Sequence, residues 1–469
     1  MPIVKIHQPL APDNDLNLTR RDLFVEGSKI VLKPSGPVEE IFDASGYIVL
    51  PGFVNAHLHS NEVFHKGLFD GLPLELWALL VYSSPKPVQL SKRQVYLRTA
   101  LAAVEMLLSG TTTAIDHLYD PGLADGNLEM VIKAYEDAGL RTAICIGAAD
   151  LGPGATFPEV AGLKKHLQTA NHIRQTCEGY LRDYQGREML KIGLGPTGPQ
   201  RCSDELLSGF TELAEKYDTI IHTHLLETKY QAVRAGYNLA ARLQRLSFSS
   251  PRVSFSHCVW NSAAENDLIA STGATVVHNP ISNLKIGAGL AATGSFIAQG
   301  LNLALGTDGS ACNDSLSLPE VMKTACLISQ VNNGLPIRPG DAWRAATSGG
   351  ARSAGLANLI GSLSPESYAD LVFLPLDQPA LTPLNNWLHQ LVYCSPRVSH
   401  VMVNGRWSIK LGQPSRVDLA ALLQEIQKEW PDIQARVLAS LAEAQKLKSR
   451  VEPFYRAFIK SLPKPEARP

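Results

Sequence analysis

The sequence predicts an α/β protein. It should hold a parallel (β/α)8 TIM-like barrel, a second small β-sandwich domain built from both chain ends, and a C-terminal helical tail. Three observations predict this. Eight short apolar runs alternate with stretches of helical period between about residues 47 and 306. Strand-like segments lie on both sides of that alternation, before residue 50 and after residue 360. An amphipathic helical stretch closes the chain. The 469 residues allow two or three domains, or one large barrel with additions, and can bury a large core.

Taken in order, Asp22–Glu26, Lys29–Leu32 and Glu40–Phe42 read as short strands punctuated by Gly, Pro and Asp. The eight apolar runs are Tyr47–Val54, Thr111–Asp116, Thr142–Ile146, Leu190–Leu194, Thr219–His224, Arg252–His257, Ala274–His278 and Leu301–Gly306. Ser91–Leu108 reads as a helix, since Leu97, Ala100, Leu101, Val104 and Leu108 share one face. Leu128–Ala138, Leu163–Asp183, Asp204–Lys216, Tyr230–Leu246 and Ala263–Ser271 read likewise. Buried strands alternating with helices give a parallel barrel, with a doubly wound sheet as the alternative. Ala369–Phe373, Val398–Val403 and Arg406–Ile409 are strands again. Asn404-Gly405 turns the last pair, because both residues tolerate the positive φ of a type I′ turn. Asp418–Lys448 is helical, and Pro463–Pro469 is expected to fray. The division is therefore 1–50 with 362–415 as a composite β domain, 51–361 as the barrel, and 416–469 as the tail.

Composition excludes several function classes. Forty-three basic and 44 acidic residues leave a net charge of −1, which argues against binding to nucleic acid or anionic membrane by bulk charge. The start lacks a basic region followed by an apolar one, and no run is long enough for a membrane helix. Seven scattered cysteines without a CxxC pattern read as reduced thiols of a cytoplasmic protein. Gly193–Gly198 matches GxGxxG literally, but Pro196 and the following Pro199 stand where a phosphate-binding turn and helix would be needed. There is no GxxxxGK[ST], HExxH or GxSxG, so the markers of ATP chemistry, zincin proteolysis and α/β-hydrolase chemistry are missing.

The chemistry lies at the strand ends, where a barrel of this kind places its active site. The first run leads into His57-Leu58-His59, and residues i and i+2 of a strand face the same way. His224, followed by Glu227, ends the fifth run. His257 ends the sixth, His278 the seventh, and Asp308 follows the eighth. A single histidine at a strand end is ordinarily a satisfied polar residue, and Asp308 alone could cap a helix over Leu316–Thr324. Five histidines and an aspartate at one mouth have no such bland explanation. Imidazoles with one carboxylate suit one divalent ion, Zn²⁺ or Fe²⁺, rather than Mg²⁺. Such an ion lowers the pKa of bound water towards 7, and a nearby carboxylate can take and deliver its proton.

The motifs resemble the amidohydrolase superfamily, in its cytosine deaminase-like branch of guanine deaminases, S-adenosylhomocysteine deaminases and s-triazine hydrolases. They are Pro51-Gly52-Phe53-Val54-Asn55-Ala56-His57-Leu58-His59, Ser109-Gly110-Thr111-Thr112-Thr113, His222-Thr223-His224-Leu225-Leu226-Glu227-Thr228, Ser256-His257-Cys258, His278-Asn279-Pro280-Ile281-Ser282-Asn283 and Gly306-Thr307-Asp308-Gly309. Ala369-Asp370-Leu371-Val372 and Val403-Asn404-Gly405 extend the likeness to the flanking strands. The resemblance implies that His57, His59, His224 and Asp308 bind one metal ion, zinc first and iron second. It implies that Asp308 also accepts a proton from water, that Glu227 shuttles protons to the ring nitrogen and the leaving amine, and that His257 orients the nucleophile or polarises substrate. Branches with two metals use a carboxylated lysine on the fourth strand. Lys191 sits near the start of that strand, away from the mouth, so a mononuclear site is expected. The family also implies a homodimer or homotetramer, with the tail as an interface.

Around these groups, His222 reads as packing behind the ligands. His278 either supports them from behind or contacts substrate, and His117 and His65 are weaker candidates. Adenosyl-group deaminases of the branch carry a histidine in Pro-His-x-Pro, and here Thr197 replaces it, which speaks against adenosylhomocysteine-type substrates. Gln200 can offer both donor and acceptor to a heterocycle edge. Residues 62–84 resemble the family's lid. Trp77, Tyr82 and Phe69 either stack on a flat ring or pack that lid, and Asn313 and Asp314 are candidates to line the pocket. The reading is hydrolytic deamination of an amino-substituted N-heterocycle, a small molecule of purine, pyrimidine, pterin or triazine type. The rivals are cyclic-amide or ureido hydrolysis or its reverse, dechlorination of a chlorinated ring, and a non-catalytic scaffold. An intact ligand set argues against the last.

Overall fold

The computed structural model describes residues 2–13, 15–120, 122–152, 168–235, 239–331 and 335–462. Eight parallel strands follow one another in sequence order around a barrel. They are Phe53–Leu58, Thr111–Leu118, Arg141–Ala148, Leu190–Pro196, Ile221–Leu225, Val253–His257, Thr275–His278 and Asn302–Leu305. Nearly every residue in them is buried, because helices cover the outside and side chains fill the inside. No ladder joins the eighth strand to the first. The Asp308 amide bridges that seam by donating to the His57 carbonyl at 2.9 Å.

One expected strand divides in two. Tyr47–Val54 is a continuous apolar run, yet Tyr47–Pro51 pairs antiparallel with Leu371–Pro375, and the barrel begins only at Phe53. Gly52 makes the transition. A Cβ there would lie 2.0 Å from the Thr112 hydroxyl, so only glycine lets the chain pass so close. Apolar content cannot separate two buried strands that serve different sheets.

The helices follow their local signals. Ser91 and Gln94 form a reciprocal capping box that starts Lys92–Leu108, and Ser203 caps Asp204–Lys216. The stretch expected at Leu163–Asp183 is a helix over Ala170–Tyr184 with Thr169 as its cap, and residues 163–167 lie outside the described residues. Of the helix expected over Tyr230–Leu246, Lys229–Ala235 and Leu239–Arg245 are helical, and residues 236–238 lie outside the described residues. The tail helix runs Leu419–Ser461, well past Lys448, and the Asp418 carboxylate caps its start. The expected fraying of Pro463–Pro469 also falls outside the described residues.

Both chain ends build a sandwich. A four-stranded sheet orders Lys29–Val31, Leu23–Glu26, Ile3–His7 and Glu40–Asp43. A seven-stranded sheet has Leu371–Pro375 and Tyr47–Pro51 at its centre. Ile6, Val25, Val49, Phe373 and Met402 pack between the sheets. Asn404 and Gly405 turn the final hairpin with φ of 53° and 72°.

Arg141, on the third barrel strand, fastens the barrel to this sandwich. Its guanidinium is buried and donates to both Asp370 oxygens (3.2 and 3.3 Å), to Asn404 (3.0 Å) and to the Glu188 carbonyl (2.8 Å). The Tyr368 ring covers it at 4.2 Å. The long C-terminal helix meanwhile lays Leu447 and Val451 against Leu76 and Leu79 of the helix Leu74–Tyr82. No helix among the described residues is long and apolar enough to cross a membrane.

Removing one partner of a buried ion pair leaves a bare charge. Asp370→Ala is therefore expected to cost about 3–5 kcal/mol, read as a fall in the urea midpoint. A variant as stable as the parent contradicts this role.

Candidate active site

His57 lies inside the first barrel strand, and His59 just past its end. His224 and His257 end the fifth and sixth strands, and Asp308 follows the eighth. His257 and Asp308 adopt left-handed φ of 74° and 63°, which is uncommon for any residue but glycine. Main-chain bonds hold these turns. Besides the Asp308 amide on His57, the Cys258 amide donates to the Leu225 carbonyl at 2.9 Å.

Hydrogen bonds behind the rings fix which nitrogen faces inward. His59 Nδ1 donates to the His117 carbonyl at 2.7 Å, and His224 Nδ1 donates to the Thr197 carbonyl at 2.9 Å. A carbonyl only accepts, so each Nδ1 carries a proton, and in the neutral ring each Nε2 then presents a lone pair. Those two Nε2 atoms lie 3.3 Å apart. His57 Nδ1 meets His222 Nε2 at 2.6 Å, and His222 Nδ1 meets the Ser254 hydroxyl at 2.6 Å. His222 thus supports His57 from below. His57 Nε2 is buried without a hydrogen-bond partner and faces Asp308 Oδ1 at 3.3 Å, with His59 Nε2 3.5 Å from the same oxygen.

Lone pairs that face one another need a cation between them. The three imidazoles form one group with ligand atoms within 4.8 Å, and His57, His257 and Asp308 form another. Burial holds His57 neutral, with its pKa down at about 4. Burial alone would raise Asp308, but the imidazoles it faces, His57 first and then His257 and His59, hold it well below the usual carboxylate range. Neutral imidazoles and an ionised carboxylate are the forms that bind zinc or iron. Burial favours the neutral ring at His57 and His224, whereas at His59 burial is outweighed by the charges of Glu62 and Asp308, which raise the pKa, so an ion there displaces a proton. His57, His59, His224 and Asp308 therefore fit one divalent ion. Lys191 points elsewhere, with its Nζ on the Gly355 carbonyl at 3.4 Å.

Glu227 stands beside this group, buried, with Oε1 3.6 Å from His257 Nδ1. Burial, then the charge of Asp308, pushes its carboxyl well above the ordinary range. His257 Nδ1 donates to Asn283 Oδ1 at 2.9 Å, so its Nε2 is left facing Asp308 Oδ2 at 3.7 Å. A carboxyl that keeps its proton, beside a carboxylate that has lost one, supplies an acid and a base in one place.

These groups open on a cavity of about 190 Å³. Trp77, Thr197 and Gln200 line it, as do Tyr82 and His117. His278 and Asn313 do not. His278 is buried, with Nδ1 unpartnered and its pKa pulled down to about 3 by burial. Asn313 Nδ2 instead donates to the Thr307 carbonyl at 2.6 Å and steadies the turn that carries Asp308. Asp314 pairs with Lys285, Phe69 packs inside the lid, and His65 lies behind it. Asp308 caps no helix, since Leu318–Val331 begins ten residues later.

Sequence reading passed over several groups. Glu62, three residues after His59, is buried and pushed up to about 7 by burial, and it accepts from the Tyr82 hydroxyl and the Ala311 amide. Glu75, on the lid helix, lines the cavity and accepts from the Thr228 hydroxyl. Asn55 holds Thr307 through two bonds, 2.8 and 3.1 Å, and so sets the peptide before Asp308. The spacing of Glu62 from His59 was a visible signal. The others depend on packing between distant segments.

Residues 48–408 match the profile of the amidohydrolase family. A 5'-deoxyadenosine deaminase of Methanothermobacter thermautotrophicus is 32% identical over 411 residues, 84% of this chain and 91% of that one. The crystal structure of a zinc-bound adenosine deaminase from Xanthomonas campestris superposes with a TM-score of 0.81 at 25% identity, covering 92% of this chain and 98% of that one. The zinc complex of an atrazine chlorohydrolase from Arthrobacter aurescens TC1 gives 0.82 at 25%, covering 92% and 100%.

A ligand that binds only the folded state stabilises it. Zinc returned to chelator-treated protein is expected to raise its unfolding temperature, with a gain of about 2.7 kcal/mol at free zinc 100 times the Kd. Asp308→Ala should lose most of that response. An undiminished response in the variant contradicts the assignment.

Proposed function

The chain belongs to the amidohydrolase family, and from that premise we propose that it is a metal-dependent aminohydrolase that releases ammonia or an amine from an amino-substituted N-heterocycle. One observation carries the reading. Glu227, whose carboxyl is pushed well above the ordinary range, and Asp308, held well below it, flank the converging ring nitrogens of His57, His59 and His224 at one end of the cavity.

His57, His59, His224 and Asp308 would hold the ion, and we take it to be zinc. When bound, it supplies the Lewis acidity that makes water a nucleophile near neutral pH. The chain's own residues do the rest. Asp308 keeps its charge in the buried mouth and is the base that takes the water's proton. Glu227 gives its proton to the ring nitrogen next to the carbon under attack, takes the remaining proton of the attacking oxygen as that carbon collapses to a carbonyl, and delivers it to the leaving amine; the proton held by Asp308 then returns to Glu227. His257, fixed by Asn283, presents Nε2 to the same point and orients the attacking oxygen. Trp77 offers an indole face to the ring, with its Nε1 anchored on the Ala311 carbonyl at 3.3 Å. Thr197 and Gln200 border the ring's edge.

Two rivals fare less well. Two-metal chemistry on a cyclic amide needs a bridging carboxylated lysine, and Lys191 is held outside the mouth. Displacement of chloride would use the same floor, but chloride leaves without a proton. The buried, protonated Glu227 suits a leaving amine, which needs one. The relatives that act on deoxyadenosine and adenosine favour a purine-like ring. All seven cysteines are free thiols, which suits a cytoplasmic enzyme. We take the working form as a homodimer or homotetramer with the C-terminal helix at its interface.

Ammonia release from guanine, cytosine, adenosine, pterins and aminotriazines, with hydantoin and ureido-acid controls, tests the reaction. Turnover of a cyclic amide alone would move the assignment to ring opening. Glu227→Gln is expected to keep its metal and lose about 10²–10⁴-fold in kcat. If it loses the metal instead, Glu227 is a ligand and not the proton carrier.

A further inference from the structure

The loop after the fourth strand carries Thr197, Gln200 and Arg201, and all three line the cavity. Arg201 is held on both sides of its backbone. Its Nε donates to the Leu151 carbonyl at 3.3 Å, and the Leu151 amide donates to the Arg201 carbonyl at 3.1 Å. That commits Nε and leaves the two terminal nitrogens as a fork. Among the described residues, no carboxylate pairs with it. The buried arginines elsewhere are each paired, Arg98 with Asp120 and Arg141 with Asp370. Beside Arg201, the Gln200 amide folds over Gly198, where a Cβ would come within 2.9 Å of both its polar atoms. Thr197 Oγ1 is buried without a partner. The acids that line the same cavity, Glu75, Glu227 and Asp308, stand on other segments.

A largely buried cation without a counter-charge is costly, and a planar guanidinium fork matches a carboxylate in two parallel bonds. We propose that Arg201 anchors an anionic substituent of the substrate, with Gln200 and Thr197 on the adjoining edge. The substrate is then an aminated N-heterocycle that bears a carboxylate away from the reacting carbon. The reaction rests on the aminohydrolase reading, and the anchoring does not.

The test is calorimetric binding to the zinc-loaded full-length protein. Matched pairs are used, cytosine-5-carboxylate with cytosine-5-carboxamide and pterin-6-carboxylate with pterin-6-carboxamide. In at least one pair the acid is expected to bind about tenfold to a hundredfold tighter. Arg201→Met should erase that preference, and Arg201→Lys should keep part of it. Equal affinities in both pairs, or a preference that survives Arg201→Met, overturns the proposal. Ammonia is measured in parallel. An acid preference in binding without ammonia from any compound leaves the anchor standing and ends the aminohydrolase reading.

Discussion

Three imidazoles are made to turn ring nitrogens toward one another inside a buried mouth, and the rest of the structure serves that constraint. Main-chain carbonyls impose it. By accepting from Nδ1 of His59 and His224, the carbonyls of His117 and Thr197 fix the tautomers. These carbonyls belong to the second strand and to the residue just after the fourth, so the barrel's closure itself sets the ring orientations. A lone-pair cluster at 3.3 Å is repulsive by itself and becomes favourable around a cation.

The same constraint explains the neighbouring electrostatics. Asp308 sits on a left-handed turn, fastened to the first strand, and its charge is held by the histidines it faces. Burial, together with that fixed charge, pushes the Glu227 carboxyl well above the ordinary range. Two carboxyl groups with opposite protonation states need opposite surroundings, and the fifth and eighth strand ends provide them. The lid helix lines the cavity above these groups, and the C-terminal helix braces it.

Much of this was legible in the sequence, and the boundary has physical reasons. Strand ends bring reactive residues together in a parallel barrel, so His57, His59, His224, His257, His278 and Asp308 stood out by position, while their roles and that of Glu227 came from the family resemblance. Tyr47–Val54 misled because a buried run shows no periodicity, and only the contact at Thr112 reveals why Gly52 divides it. His278 has the same strand-end position as His257 but does not line the cavity, a difference that spacing cannot express. Glu75 and Arg201 went unread because their meaning comes from partners far along the chain, or from the lack of one. Phe69, Trp77 and Tyr82 share the lid, yet only the last two reach the cavity.

The most direct test of the central claim is an anomalous-scattering crystal structure of the zinc-loaded protein. The account predicts one ion per chain, at about 2.0–2.2 Å from Nε2 of His57, His59 and His224 and from an Asp308 oxygen. An ion bound elsewhere, or a pair of ions bridged by another residue, would contradict it.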